Sequence, residues 1–462
     1  MKKYCLPLLL ALLFAACDST TETNKKNAVT AMEKYEPVAL GVLPDWAKNA
    51  NIYEVNLRQY TEEGNIAAFR KQLPRLKKMG VDILWFMPIF PIGELKRKGT
   101  LGSYYSVKDF KALNPYHGTI EEFKSMVKEI HAMDMKIILD WVPNHSSWDN
   151  AWITEHPEWY THDNDTITHP LDPNTGSPTG WTDVADFNYD NPEMRAAMID
   201  ALTYWVKDID VDGYRCDVAG FVPNDFWKQA ITALNQEKHV FMLAEWDNEP
   251  AHFENGFHMN YSWEFKEVIK EIAHGKQNAK DVWAFYEKQE KKFPEQAIHM
   301  YFITNHDENS WNNYPAVLGD AENALAVLAF TFDGMPLIYS GQESGLPDTI
   351  SFFNKDLFEW GDYKNTNFYS QLLALKHQNA ALANGIYGGK MQSIETVTNG
   401  NVFAFTRSKG ENQVAVFINL SKDKQETPIA KEIAQMETVM EEGSQLGETL
   451  TLAPWGYLIK KT

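Results

Sequence analysis

An α/β fold is predicted: a closed (β/α)8 TIM barrel, a long loop subdomain after its third strand, and a C-terminal all-β sandwich domain. Three features of the 462-residue sequence carry this. From about residue 50, eight short apolar runs alternate with longer amphipathic segments, as in parallel strands joined by crossover helices. One connection, residues 146–190, is rich in Gly, Pro, Asn and Asp and has no sustained helical period. Beyond residue 383 apolar and polar residues alternate, as in VFAFTRS (402–408) and QVAVFINL (413–420), the mark of strands with one buried face.

The chain opens with MKKYCLPLLLALLFAAC: two lysines, an apolar run too short to span a bilayer comfortably, then small residues. This predicts an export signal over 1–16. The ending FAAC resembles a bacterial lipobox, making Cys17 the expected lipidation site and 17–40 a tether that includes the polar DSTTETNKKNAVT. A membrane-anchored lipoprotein on an extracytoplasmic face, periplasmic or cell-surface, follows. The alternative is a plain signal peptide with an accidental cysteine.

The barrel is expected over 41–145 and 191–383, the inserted subdomain over 146–190 and the β domain over 384–462. Its strands are NIYEVNL (51–57), VDILWF (81–86), MKIILD (135–140), VDGYRC (211–216), HVFMLAE (239–245), FHMNY (257–261), HMYFIT (299–304) and PLIYS (336–340). Between them, Ile66, Phe69, Leu73 and Leu76 share one helical face, as do Phe123, Met126, Val127 and Ile130. An open doubly wound sheet is the competing topology, but its G-x-G-x-x-G fingerprint is missing.

With 44% hydrophobic and 13% aromatic residues, the chain has ample material for a packed core. A formal charge of −20 repels phosphate backbones and anionic headgroups, which excludes nucleic acid as a partner and leaves the lipid as the only membrane contact. A neutral ligand is not repelled, and a monomer is expected. Of the three cysteines, Cys5 lies in the leader and Cys17 at the lipobox, so Cys216 stands alone and neither a disulfide nor a cysteine zinc site is available. Cys216 is expected to face away from the barrel interior as a small hydrophobe.

Active sites of such barrels form at the carboxyl ends of the strands. There the sequence places Asp140, Asn144 and His145 in LDWVPNHS, Arg215 and Asp217 in VDGYRCDVAG, Glu245 in LAEW, and His306 and Asp307 in TNHDE. Arg215 and Asp217, two apart, share a strand face. Alone they could be a structural ion pair. Four strands bringing carboxylates and histidines to one rim favour a site. A metal centre would want paired histidines, whereas His145 and His306 are isolated on distant strands. Acid/base work at a glycosidic bond fits better, with one carboxylate attacking and another protonating the leaving oxygen. Arg215 should keep Asp217 ionised, and the apolar FMLA and Trp246 around Glu245 should raise its pKa. The insert's Trp148, Trp152, Trp159 and Trp181 are candidates for stacking on sugar faces.

These motifs, in order, resemble those of glycoside hydrolase family 13, the α-amylase family: DWVPNH, GYRCD, LAEW and NHD, with VADFN (184–188) closing the insert. GVDILWFMPIF, GMPLIYSGQE and GSYYSVKDF extend the likeness over nearly all of the mature chain. The resemblance implies Asp217 as nucleophile, Glu245 as general acid/base and Asp307 as transition-state stabiliser. It also implies Tyr105, Asp140, His145, Arg215 and His306 as substrate-binding residues, an α-glucan as substrate, and retention of anomeric configuration. No cofactor is required by this chemistry. Calcium stays open: Asn144 matches a family ligand position, but Phe221 stands where many relatives carry histidine, and the acidic D-x-N-x-D-G loop of some members is absent after strand one. The expected activity is cleavage of α-1,4-glucosidic bonds in starch, glycogen or malto-oligosaccharides. An exo-acting α-glucosidase or a transglycosylase is the alternative within the same chemistry. A non-catalytic glucan-binding lipoprotein would require loss of a working carboxylate, and all three are present.

Overall fold

The computed structural model describes residues 38–346 and 348–462. The expected leader, Cys17 and most of the tether lie outside the described residues. The barrel strands are β1 (Ile52–Val55), β2 (Ile83–Phe86), β3 (Lys136–Trp141), β4 (Gly213–Cys216), β5 (Phe241–Ala244), β6 (Met259–Tyr261), β7 (Ile298–Tyr301) and β8 (Met335–Tyr339). All neighbours are parallel, and β1 pairs with both β2 and β8, closing the barrel.

The two-residue period of a strand sorts the side chains into two sets. Outward residues such as Tyr53, Leu84, Leu139, Met242 and Ile338 pack beneath the helices. Inward residues Ile52, Ile83, Ile138, Phe241, Leu243, Met259 and Leu337 fill the interior. One step nearer the carboxyl ends, the inward positions turn polar: Glu54, Asp140, Arg215 and Tyr261, all buried. The apolar layer is thus the floor on which a charged layer stands. Cys216 faces outward into the helix-side core, as expected, and burial pushes its thiol well above the usual range, so it is inert packing.

The helix between β2 and β3, Ile120–Ala132, starts on a capping box in which Thr119 and Glu122 each bond the other's backbone N–H. Its face Phe123, Met126, Val127 and Ile130 is buried, as the spacing requires. The face Ile66, Phe69, Leu73 and Leu76 is buried too, but on two short helices, Ile66–Phe69 and Leu73–Met79, joined by a 3-10 turn. Pro74 explains the break, because it removes a backbone donor and is tolerated only in a first helical turn.

The insert's ends are tied by two short antiparallel strands, His145–Ser147 and Val184–Asp186. Its tryptophans divide by role. Trp152 packs edge-on to Trp159 and face-on to Phe110, inside the insert's own core. Trp148 carries the Lys96 ammonium 3.4 Å over its ring and His169 against it. Of the four, Trp181 lines the cavity described below, Trp148 lines a separate open groove, and Trp152 and Trp159 pack against each other.

The C-terminal β domain is one connected antiparallel sheet of six strands. Phe403, Phe405, Val416 and Ile459 of one face join the main core, and Ala404, Phe417, Leu452 and Leu458 of the other form a separate cluster with Ile433. Arg407, fully buried, donates to the carbonyls of Phe332 (2.6 Å), Ala383 (2.8 Å) and Gly389 (2.7 Å), bolting the sheet to the barrel.

Candidate active site

Strand register places Asp140 of β3 beside Arg215 of β4 and Arg215 beside Leu243 of β5. Gly213 makes that close packing feasible: its φ is +154°, and a Cβ there would lie 1.9 Å from the Phe241 carbonyl oxygen. The fully buried Arg215 then gathers three carboxylates. Its Nη1 donates to Asp140 Oδ1 (2.8 Å) and Asp217 Oδ1 (2.9 Å), its Nη2 lies 2.7 Å from Glu245 Oε1, and its Nε donates to Tyr261 Oη (3.1 Å). The guanidinium also sits over the ring of Trp85 at 5.2 Å.

One cation cannot neutralise three buried carboxylates. Burial raises the Asp140 carboxyl to about 7 against the pull of Arg215 and His306, with Glu245 adding to the rise. Asp217 is pushed well above the usual carboxylate range by burial and then by Glu245, with Arg215 opposing. The expectation that Arg215 keeps Asp217 ionised is therefore met in sign but outweighed. Asp217 shares its arginine with two other acids away from water, so the pull of one cation is divided among three carboxylates.

Glu245 also differs from expectation. Instead of an apolar pocket it has Arg215 at one oxygen and the Val218 N–H, donating at 2.7 Å, at the other. Val218 holds φ +37° and ψ +48°, a left-handed conformation that costs a β-branched residue on the order of 1–3 kcal/mol. That strain sits directly after Asp217 and aims an amide at Glu245. Trp246, expected to wall Glu245, instead lies across Gly220, where a Cβ would come within 2.2 Å of the indole, and meets Phe221 edge-on at 5.6 Å.

Asn305 of the NHD motif caps a short helix, accepting a bond from Glu308 N at 2.9 Å, which sets His306 and Asp307 in the first turn. His306 Nδ1 lies 2.5 Å from Glu54 Oε1, and its Nε2 lies 2.7 Å from Tyr105 Oη and 3.3 Å from Asp307 Oδ2. Burial alone would lower this histidine; Asp307 and Glu54 outweigh it and raise the ring to about 9. His145 lacks such a partner, and burial lowers it to about 4, a neutral ring. Tyr105 donates to Asp140 Oδ2 at 3.0 Å and stacks on Phe352 at 6.0 Å.

Asp217, Glu245 and Asp307 open together into one cavity of about 240 Å³, walled by Tyr105, His145 and His306, with Asp140 and Arg215 beneath. Sequence reasoning missed three participants. Glu54 was visible only as a lone carboxylate within an apolar run. Tyr261, the last residue of β6, looked like ordinary core. The Lys98–Asp183 ion pair (2.8 Å), which joins the loop after β2 to the insert at the cavity wall, left no local signal because its partners are far apart in sequence.

Asn144 stands apart from this group. Its Nδ2 faces Asp186 Oδ1 at 3.3 Å and the His145 ring. Calcium takes six to eight oxygen ligands. Here one carboxylate and one amide converge, Phe221, which stands where the resemblance expects a histidine, stacks on Trp181 at 5.8 Å, and no metal-sized group of His, Cys, Asp or Glu occurs among the described residues. Burial raises the Asp186 carboxyl to about 7, as expected of a group without a cation beside it. The residues do not fit the calcium site that Asn144 suggested.

Residues 21–429 match the family model described as alpha amylase, catalytic domain. Among curated proteins, an α-amylase of Haloarcula japonica is 28% identical over 74% of this chain, though the match spans only 50% of that protein's length. Alpha-amylase 3 of Dictyoglomus thermophilum is 26% identical over 82% of this chain and 86% of its own. Among solved structures, an α-amylase from Lactobacillus plantarum superposes with a TM-score of 0.78 at 29% identity, covering 90% of this chain and 99% of that one. A noncanonic maltogenic α-amylase from Thermotoga neapolitana gives 0.74 at 28%, covering 90% and 97%. With the family model spanning most of the chain and the motif carboxylates gathered in one cavity, this chain belongs to the α-amylase family, glycoside hydrolase family 13.

Proposed function

We propose that the protein is a retaining hydrolase of α-1,4-glucosidic bonds in starch, glycogen or malto-oligosaccharides. The observation that carries this reading is the pair Asp217 and Glu245 held on the two terminal nitrogens of one guanidinium, with Asp307 in the same cavity. An Asp217 oxygen attacks the anomeric carbon while Glu245 gives its proton to the departing glycosidic oxygen, leaving a β-linked glucosyl ester. Glu245 then takes a proton from water, whose oxygen attacks the same carbon and releases Asp217. Asp307 and His306 are positioned to hold sugar hydroxyls.

Products from soluble starch, pullulan and short maltosides, followed over time, test the reading. Random shortening of starch is expected, with the α-anomer of each new reducing end appearing first in proton NMR. A β-anomer appearing first would overturn retention. Exo action, or transfer to a sugar acceptor, is the second reading. It is favoured by the Lys98–Asp183 strap and by the Trp181 ring, both at the cavity wall. Glucose released alone from chain ends would establish exo action instead, and Lys98→Ala should then lengthen the products.

Catalysis is expected without calcium. Excess EDTA should leave both kcat and Tm unchanged; a fall in either that calcium restores would contradict the fit argued above. For localisation we propose a lipid anchor at Cys17, supported by the FAAC motif. Cys17→Ala should move the protein from the membrane fraction to the soluble one.

A further inference from the structure

The charged layer contains a carboxylate, Glu54, to which neither the motifs nor the mechanism assigns a role. Glu54 lies in the middle of β1, between Trp85 of β2 and Tyr339 of β8 in register, and is fully buried. Its Oε1 lies 2.5 Å from His306 Nδ1, and its Oε2 has no hydrogen-bond partner. Burying a carboxylate with one partner is expensive, and a leucine of similar size would fill the same space at no such cost. Packing alone therefore does not account for an acid at this position.

From Glu54 an unbroken chain of polar contacts crosses the top of the barrel. Glu54 accepts from His306 Nδ1, His306 Nε2 lies 2.7 Å from Tyr105 Oη, Tyr105 donates to Asp140, and Asp140 accepts from Arg215, which also holds Asp217. With Nδ1 committed to Glu54, Nε2 is left as the nitrogen that faces the cavity. We propose that Glu54 is a positioning residue for this reaction, holding His306 through Nδ1 so that Nε2–H stays fixed between Tyr105 Oη and Asp307 at the cavity wall, as part of an imidazolium. The proposal rests on the glycosidase reading of the cavity.

The groups facing His306 agree with this assignment. Asp307 and Glu54 favour the charged ring, Arg215 and burial oppose it, and Trp85, Tyr105 and Phe352 enclose it without charge. Burial raises the Glu54 carboxyl as well, with its His306 partner opposing that rise.

The test has two arms. In ¹⁵N-histidine-labelled enzyme, with His306 assigned by comparison with His306→Asn, the wild-type ring should remain doubly protonated beyond pH 8 and titrate at about 9. A titration near the ordinary value of about 6.5 would overturn the proposal with no need for substrate or for any variant at Glu54. In the kinetic arm, Glu54→Gln keeps an acceptor for Nδ1 but removes the charge. It should move the basic limb of the kcat profile down by about one pH unit or more, with KM little changed, while Glu54→Leu should lower kcat about tenfold or more at every pH. A Glu54→Gln profile superimposable on wild type would reduce Glu54 to a structural residue. A wild-type enzyme inactive on every glucan would refute the glycosidase reading and leave the titration result standing.

Discussion

Asp217→Asn is expected to lower kcat on the order of 10⁵-fold while leaving the protein more stable than wild type at neutral pH. Loss of turnover follows from the chemistry, because an amide cannot form the glucosyl ester. The gain in stability follows from the charge cluster. In the folded protein the Asp217 carboxyl is raised well above its unfolded value by burial and by Glu245. The folded state then binds more protons than the unfolded one between the two values, so stability falls as pH rises through that window. Asparagine has the same shape and no charge, which removes this penalty and leaves Arg215 with two acids instead of three. A gain of about 1–2 kcal/mol, or roughly 2 °C in Tm, is expected at pH 7 and should vanish near pH 4. Thermal melts of both proteins across pH check it. A variant less stable at pH 7 would show that Arg215 compensates the cluster fully.

Arg215→Leu should be the most destabilising single change in the barrel, about 3–5 kcal/mol at pH 7, because it strands Asp140, Asp217 and Glu245 without their cation. Protonation relieves the stranded charges, so the loss should shrink as pH falls toward 5. The double variant Arg215→Leu/Asp217→Asn should recover part of the loss, since the two sites touch and their effects are not additive. A pH-independent loss, or a double variant with simply summed effects, would mean that Arg215 acts through packing and not through charge.

Most of the architecture could be read from local pattern, because a strand's period and a barrel's rim are local properties. VDILWF, VDGYRC and HVFMLAE each announce a buried strand with chemistry at its carboxyl end. What could not be read is what depends on several strands meeting. One arginine serving three acids is a consequence of register between β3, β4 and β5, and it reverses the balance expected from the pair Arg215 and Asp217 alone. Glu54 gains meaning only once β1 brings it to His306 of the NHD motif, and Tyr261 only once β6 brings its hydroxyl to Arg215. Trp246 misled for a similar reason: adjacency to Glu245 in sequence did not place its ring there, because Gly220 offered it a seat elsewhere. Asn144 matched a motif position, yet a calcium shell needs six or more oxygens from distant segments, and those segments bring aromatics.

The identity of the nucleophile is tested most directly by trapping the intermediate. Incubation with a 5-fluoro-α-glucosyl fluoride, which slows release of the glycosyl ester, followed by peptide mass analysis, should find one added fluoroglucosyl group on Asp217 within VDGYRCDVAG. A label on Glu245 or Asp307, or an unlabelled protein that still turns over starch, would contradict the mechanism.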